Sequence, residues 1–380
     1  MRRRGFLAGA LLLVPMATIA GQLAGKSALR IELVVRTIDN FKNEDDVAAF
    51  FEKAHSANVA IVHINAKQDE DDERPSGEVY YASAIAPVAA GYEKFDALAA
   101  SIAEGRRRGI KVYAWLPQFH DQAALRAHPQ WQMIASEHGK NHAYAGKNTV
   151  AFFVNPIDPE VQAYELSLVA EVARNYQVDG ISLDWLRFDD MNMDTGPVTR
   201  RLAQQEIGLD PATLNFSASS IATQRWQLWR TQKLRLYVRQ LRQTVNAIRP
   251  DLRLALFLLP PQFTEVGQDL SLLSDALDAV YPMAYFKDWS FPPSWVAGKL
   301  MADVERKKTH HTNVKPTLDG SGTVAQNIDI LSAVRKKFPQ IDSIAWFTAG
   351  YWQQAEIDRI VMIHLAAARR AVGGASNRDK

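Results

Sequence analysis

Short apolar runs rich in β-branched and aromatic residues alternate with longer amphipathic segments along most of the chain. Between the runs, segments such as 45–57 and 159–176 repeat their apolar residues at intervals of three and four, as helices with one buried face do. The pattern therefore predicts eight βα units and a parallel sheet. The eight predicted strands are residues 31–36, 59–65, 110–116, 178–184, 252–258, 277–285, 313–318 and 342–348.

Eight strands, each followed by a helix, place the chain in the α/β class as a single (β/α)8 TIM barrel with long βα loops. A doubly wound sheet is the alternative, although no Gly-x-Gly-x-x-Gly loop supports nucleotide binding in such a fold. The longest connections, 66–91, 117–157 and 185–221, follow the second, third and fourth strands. In a barrel these loops share one face, which is where binding and chemistry are usually found.

The first 28 residues have the features of an export signal and linker. Three consecutive arginines, Arg2 to Arg4, precede about fifteen mostly apolar residues that Pro15 interrupts. The sequence RRGFL is similar to the core of a twin-arginine signal, which predicts a periplasmic or secreted protein without a stable membrane span in its mature form. An uncleaved anchor is the alternative. We assign residues 29–372 to the barrel and 373–380 to a disordered tail.

Composition narrows the functional classes. The net charge is +2, and removal of the arginines at positions 2–4 would change it to −1, so a general attraction to nucleic acid is not expected. The basic segment 225–242 alternates arginines with leucines, as the solvated face of an outer helix does. The chain has no cysteine, and the first strand lacks the His-x-His of metal-dependent amidohydrolases, so neither a metal nor a cofactor is predicted.

Polar and aromatic residues stand where the predicted strands end. Asp184 closes the fourth strand, a position that points into the active-site mouth of a barrel. It could instead cap the next helix or pair with Arg187 as a structural ion pair. Aromatic faces beside carboxylates and amides suit a sugar, whose ring stacks while its hydroxyls form hydrogen bonds. The candidate substrate-binding residues are Arg36, Asn65, Lys67, Trp115, Arg187, Tyr285, Asp288 and Trp346.

Several motifs extend this picture to a family. From about residue 30 to residue 352 the chain resembles bacterial glycosyl-hydrolase-like barrels, in YYASAIAPV, HPQW, the long block NPIDPEV…DGISLDWLRF and the segment 226–250. It is more distantly similar to the glycosidase-type domain found with some poly-N-acetylglucosamine deacetylases. The resemblance implies that Asp184 is the catalytic carboxylate. Ser182, where relatives often have histidine, and the missing proline after Phe188 depart from the usual pattern.

A second motif resemblance does not extend to the residues that carry the chemistry. DGISLDWL resembles the DGxDxDxE strand of family-18 chitinases, but Leu186 replaces the proton-donating glutamate and Ser182 replaces an aspartate. The later motif MAYF likewise has Phe286 in place of an acid. Leucine cannot transfer a proton, so chitinase chemistry does not apply to this chain.

Glycoside hydrolysis needs an acid and a second group, unless an acetamido group of the substrate takes the second role. We expect Asp184 to be the general acid. Asp319 is preferred over Asp288 as its partner, because Gly320 and Gly322 would let that loop approach a substrate. The alternative is that Asp319 is a turn aspartate before glycine. The predicted function is hydrolysis of a bacterial polysaccharide, with N-acetylhexosamine as one candidate sugar. The alternative is a carbohydrate-binding barrel without catalysis.

Overall fold

The computed structural model describes residues 29–69, 75–137, 139–144, 152–348 and 350–376, with side chains described up to residue 370. Its core is a parallel sheet whose strands coincide with the eight predicted runs. The strands are β1 Arg30–Val35, β2 Val59–Asn65, β3 Lys111–Pro117, β4 Gly180–Asp184, β5 Arg253–Leu258, β6 Ala279–Pro282, β7 in two segments, Asn313–Val314 and Thr317–Leu318, and β8 Ser343–Phe347.

The two segments of β7 close the sheet into a barrel. The strands neighbour one another in chain order from β1 to β6, and β8 lies beside β1. Asn313–Val314 pairs with β6, whereas Thr317–Leu318 pairs with β8. A parallel bridge between Met283 and Thr317 continues the contact of β6 with β7. The predicted (β/α)8 barrel is thereby confirmed, and the doubly wound alternative is wrong.

Helices cover the outside of the barrel. Those that follow the strands are α1 Glu44–Ser56, α2 Ala97–Arg108, α3 Pro159–Asn175, α4 Ile221–Ile248, α5 Leu270–Leu273, α6 Met301–Lys307, α7 Val324–Lys337 and α8 Gln354–Ser376. Shorter α-helices within the loops are Thr37–Asn40, Gln122–Ala127 and Pro197–Ile207. Three-residue 3-10 helices begin at Pro129, Pro211, Thr264, Ser274 and Pro293, and a π-helical turn, Val296–Leu300, precedes α6.

Local sequence explains where the helices start. Asn43, Asp96 and Asp158 accept hydrogen bonds from main-chain amides in the first turns of α1, α2 and α3. Pro159 occupies the first position of α3, where no amide hydrogen is needed. These caps fix the starts of the three helices that follow β1, β2 and β3.

The structure describes the two ends of the chain to different extents. The predicted export signal and linker, residues 1–28, lies outside the described residues. Helix α8 runs to Ser376, four residues into the segment predicted as a disordered tail. Among the described residues, no helix is both long and apolar enough to cross a membrane.

Alternation along each strand sorts its side chains between two cores. One set, from Val34, Trp115, Phe257, Tyr281 and Ala345, packs inside the barrel. The other set faces the helices and forms the large core between the two layers. Residues that continue the inward-facing set past the carboxyl ends of the strands surround the mouth of the barrel.

Candidate active site

Asp184 is the last residue of β4 and lies at the mouth, with only 6% of its surface exposed. Both carboxylate oxygens are held. The indole Nε1 of Trp115 on β3 donates to Oδ2 at 3.1 Å, and the main-chain amide of Trp185 donates to Oδ1 at 2.7 Å. The carboxyl group therefore has one orientation relative to the barrel axis.

Burial changes the acidity of this group. Loss of solvent raises the pKa of Asp184 to about 7, and the negative charge of Asp69 adds to the rise. The amide of Trp185, the charge of Arg187 and the indole of Trp115 act in the opposite direction. A carboxyl group that is half protonated near neutral pH can donate a proton, as a general acid must.

In the loop after β4, Arg187 pairs with Asp189 and not with Asp184. Its guanidinium stacks 4.4 Å from the ring centre of Trp185 and forms an ion pair with Asp189 at 2.8 Å. The Tyr144 hydroxyl also donates to Asp189. Asp184 therefore neither caps the next helix, which begins at Pro197, nor has Arg187 as its ion-pair partner. Arg187 stays at the mouth, half-buried beside Asp184.

A buried polar group lies at the ends of β1 and β2, on the far side of β3 from β4. Arg36 follows β1, and its Nε lies 3.3 Å from Oδ1 of Asp69. Asn65 ends β2 and donates to the carbonyl of Lys67 at 2.7 Å, whereas its buried Oδ1 accepts no hydrogen bond from the described residues. The predicted residues Arg36 and Asn65 are thus brought to the same mouth as Asp184.

Two residues of the site were missed by the sequence analysis. Asp69 is 2% exposed, and burial raises its pKa while the charge of Arg36 opposes the rise. His120, after β3, shares a hydrogen bond through Nδ1 with the main-chain carbonyl of Asp69. Its ring stacks on that of Trp185 at 4.8 Å. Asp69 precedes the acidic run EDDER, whose composition resembles a solvated loop, and this hid the residue.

An aromatic wall completes the mouth. Tyr285, after β6, stacks on Trp289 at 5.7 Å and on Phe347 at 6.1 Å between ring centres. Phe347 in turn meets the edge of Trp115 at 6.1 Å. Tyr285, Trp289 and Phe347 are all half-buried, so parts of their faces are open to solvent. Such a wall can stack against a sugar ring.

The two acids predicted as partners of Asp184 lie on the β6 and β7 side. Asp319 is half-buried, and its Oδ1 accepts from the amide and hydroxyl of Ser321 at 3.1 and 2.8 Å. Gly320 between them has φ 72°, so the segment is a tight turn. Asp288 is exposed; partial burial and the charge of Asp319 raise its pKa.

Lys67 lies inside a structural ion cluster. Its ammonium donates to the carbonyl of Gln118 at 3.1 Å and to both oxygens of Glu165 on α3, and it lies 2.8 Å from Asp121. The side chain has no exposed surface. This placement corrects the expectation that Lys67 binds substrate, because all three ammonium hydrogens already have protein partners.

Trp346 faces away from the mouth. Its indole Nε1 donates to His364 on α8 at 3.0 Å, which places the ring between the barrel and the helix layer. The neighbours on either side along β8, Ala345 and Phe347, face inward instead. This placement corrects the expectation for Trp346, and Phe347 provides the aromatic surface that was assigned to it.

The departures from the chitinase pattern have structural explanations. Ser182 lies below the mouth, where its hydroxyl meets Nδ1 of His63 at 2.6 Å. His63 also bonds Glu32 at 3.1 Å through Nε2, inside the barrel. Leu186 and Phe286 are buried in the core between barrel and helices. All three side chains are buried within the protein.

A polar cavity of about 570 Å³ opens next to the Asp189 end of the site. The hairpin Ile134–Glu137 with Lys140–Ala143 forms one wall, and segments 190–192 and 212–217 form the others.

Among the described residues, no three histidine or acidic side chains are grouped closely enough to hold a metal ion. His310 and His311 are exposed on the turn before β7.

Comparison with known proteins places this chain in a family. Residues 44–290 match the family described as Glycosyl hydrolase-like 10. The chain belongs to this family. The predicted resemblance to bacterial glycosyl-hydrolase-like barrels is thereby confirmed.

Relatives of this glycosyl hydrolase-like chain are distant. An S-layer-related protein of Niallia circulans is 24% identical over 241 residues, which cover 56% of this chain and 15% of that protein. The glycosyl hydrolase DigH of Escherichia coli K12 is 24% identical over 165 residues, 41% of this chain and 34% of DigH. The matched region thus spans 15% and 34% of the length of these two relatives.

Solved structures agree on the architecture. The glycoside hydrolase domain of PgaB (BpsB) from Bordetella bronchiseptica superimposes with a TM-score of 0.68 at 16% identity, covering 90% of this chain and 98% of that one. A cold-adapted β-galactosidase from Rahnella gives 0.61 at 13% identity, covering 92% of this chain and 57% of that one. At such low identity these similarities support the barrel fold alone. The chemistry has to be argued from the residues of the site.

Proposed function

We propose that this protein is a glycoside hydrolase acting on a bacterial polysaccharide, with Asp184 as the general acid. The observation behind the proposal is the buried carboxyl of Asp184 at the end of β4, held through both oxygens and with a pKa raised to about 7. Membership of a glycosyl hydrolase-like family and the likeness to glycosidase barrels support it.

The surroundings suit the chemistry of an acid catalyst. Near neutral pH a substantial fraction of Asp184 carries a proton that it can give to the glycosidic oxygen as the bond to the anomeric carbon breaks. Because the two donors Trp115 and Trp185 stay in place, the carboxylate that forms is stabilised at once. Arg187 lies near enough to lower the pKa of Asp184 and thus adds to that stabilisation.

The walls of the mouth favour a saccharide as substrate. Tyr285, Trp289 and Phe347 offer ring faces, and Asn65 at the end of β2 offers a side-chain oxygen that accepts no hydrogen bond from the described residues. The polar cavity beside Asp189 offers room for further sugar units of a chain. An N-acetylhexosamine polymer is one candidate, since its acetamido group could also take part in the reaction.

The decisive experiment is reducing-end release from bacterial exopolysaccharides and chitin-type oligomers. The wild type is compared with Asp184→Asn and with Asp251→Asn, a matched change at an exposed aspartate before β5, at the other end of the barrel. We expect release by the wild type and Asp251→Asn, and a loss of about 100-fold or more in Asp184→Asn. Saccharide binding by all three proteins without release would favour a binding barrel instead.

Export is a separate part of the proposal. The arginine pair and apolar stretch within residues 1–28 support transport by the twin-arginine route to the periplasm or beyond. Replacing Arg3 and Arg4 by lysine should retain the protein in the cytoplasm, which cell fractionation can measure. Unchanged export of that variant would rule out this route.

A further inference from the structure

Asp69 is a buried carboxylate whose surroundings call for a role. It follows β2, is 2% exposed, and lies beside the guanidinium of Arg36, with 3.3 Å between Nε and Oδ1. That geometry is not a hydrogen bond, and Oδ1 accepts none from the described residues. Buried acceptors are normally satisfied, so this oxygen has the capacity to bind a water or a substrate hydroxyl.

The main chain around Asp69 is fixed from the opposite side. His120 bonds the carbonyl of Asp69 through Nδ1, and the His120 ring stacks on Trp185. The amide of Trp185 in turn holds Oδ1 of Asp184. One continuous set of contacts thus links the two carboxylates from β2 to β4, and the charge of Asp69 acts directly on Asp184.

Asp319 is less suited to be the second group. Its Oδ1 already accepts two hydrogen bonds from Ser321, and the left-handed Gly320 makes the segment a turn. These contacts account for an aspartate at that place without any catalytic role. Asp288 is exposed to solvent, where a carboxylate needs no further explanation.

We propose that Asp69, and not Asp319, is the second carboxylate of the site and acts as the general base of an inverting hydrolysis. This inference rests on the proposed function. Asp69 takes a proton from a water molecule whose oxygen bonds to the anomeric carbon, while Asp184 gives its proton to the departing glycosidic oxygen. One water is consumed, and solvent then returns each carboxyl group to its starting state.

The base role fits the placement of Asp69 better than the nucleophile role does. A nucleophilic carboxylate must bond to the sugar itself, whereas a base works through a water and can lie further back. Asp69 is enclosed beside Arg36; burial raises its pKa, and the positive charge of Arg36 opposes that rise and favours the ionised form that a base needs. The reaction should therefore invert the anomeric configuration.

The test compares Asp69→Asn with the matched change Asp319→Asn on the substrate that the wild type hydrolyses. We expect kcat to fall about 100-fold or more in Asp69→Asn and to stay within about threefold in Asp319→Asn. The fall in rate towards acidic pH should disappear in Asp69→Asn and remain in Asp319→Asn. Proton NMR of the wild-type product should show inversion; retention, or the opposite ranking of the two variants, would overturn the proposal.

Two further measurements separate chemistry from folding. If Asp69→Asn does not fold, Asp69→Ser leaves space for formate, and restored activity with formate would identify a missing base. Carbon NMR of labelled aspartates reports the pKa of Asp184 without any substrate: it should fall in the Asp69 variant and not in Asp319→Asn. An unchanged pKa would refute the link between the two groups, whereas an inactive wild type with the expected pKa change would refute only the proposed function and the base role.

Discussion

At the scale of single residues, the character of Asp184 comes from competition between burial and hydrogen bonding. Burial favours the neutral form, while the two donated hydrogen bonds favour the anion. Burial prevails, so the pKa lies near 7 rather than near 4. The same two donors that limit the rise also stabilise the product carboxylate, and the site can therefore release its proton without rearrangement.

The pH dependence of hydrolysis follows from this acidity. Because the acid must be protonated, kcat/KM should fall as the pH rises through about 7, close to tenfold for each further pH unit. Initial rates between pH 5 and pH 9 measure it. Asp251→Asn should show the same alkaline limb as the wild type. A rate that keeps increasing above pH 7 would be inconsistent with Asp184 as the acid.

The sequence was sufficient to predict Asp184 as a site residue, but not every residue around it, and β8 shows why. Strands of a closed parallel barrel are buried on both faces, so an apolar run such as SIAWF does not reveal which residues point inward. Trp346 and Phe347 are adjacent and both aromatic, and only the structure shows that Phe347 faces the mouth. Asp69 was hidden for another reason, because a run of acidic residues, a composition typical of solvated loops, follows it directly in the sequence.

At the scale of elements, β4 positions Asp184 because Gly180 lets the strand lie against β3. A Cβ atom at Gly180 would come within 2.5 Å of the Tyr113 ring, which occupies the space beside the glycine. The Asp-Gly pair in the sequence thus reflects close packing at the base of the strand. The strand that carries the proposed acid cannot shift without disturbing this contact.

Gly180→Ala should therefore destabilise the protein by about 1–3 kcal/mol, since the ring or the strand must move. The matched control is Gly298→Ala in the turn before α6, where nothing lies within 4 Å of the added Cβ. That change should be neutral or stabilise by about 0.5 kcal/mol. Denaturant unfolding measures both. Equal stabilities of the two variants would contradict the packing argument.

Lys67 shows an interaction between elements that no local pattern could predict. Its partner Glu165 comes 98 residues later, on the helix that follows β3, and the two meet only once the barrel has formed. Although burial opposes the charge of Lys67, Asp121 and Glu165 raise its pKa, so the ammonium stays protonated. The cluster attaches the β2 and β3 loops to α3 behind the site.

Removing this ammonium should be costly. Lys67→Met leaves two buried acids without their cation, which we expect to reduce the free energy of unfolding by about 3–5 kcal/mol at pH 7. Lys299→Met, at a largely exposed lysine that pairs with Asp303, should change it by less than about 1 kcal/mol. Urea unfolding of both variants measures the difference. A small effect at Lys67 would show that the acids become protonated at little cost.

At the scale of the whole molecule, a charged cluster lies inside the closed barrel below the mouth. Glu32 on β1 accepts from Tyr281 on β6 at 2.8 Å and from Lys315, between the two segments of β7, at 2.6 Å. Although burial opposes ionisation, the hydrogen bond from His63 and the charge of Lys315 hold the pKa of Glu32 far below its usual range. These contacts join strands that are not neighbours in the sheet.

Closure of the barrel is most easily disrupted where β7 is interrupted at Lys315. One segment of this strand pairs with β6 and the other with β8, and Pro316 between them cannot donate a main-chain hydrogen bond. The ammonium of Lys315 therefore adds a fixed point where the ladder is broken. If it does, Glu32 and Lys315 should be energetically coupled through the barrel interior.

A double-mutant cycle tests that coupling. Glu32→Gln leaves a buried ammonium unpaired and Lys315→Met leaves a buried carboxylate with fewer partners, so each should cost about 3–5 kcal/mol. The double variant lacks both charges, and its loss should be smaller than the sum of the single losses by at least about 1 kcal/mol. Lys299 and Asp303, a pair whose ammonium group is largely exposed, should give a coupling below about 0.5 kcal/mol. Additive losses at Glu32 and Lys315 would mean that the barrel closes without this ion pair.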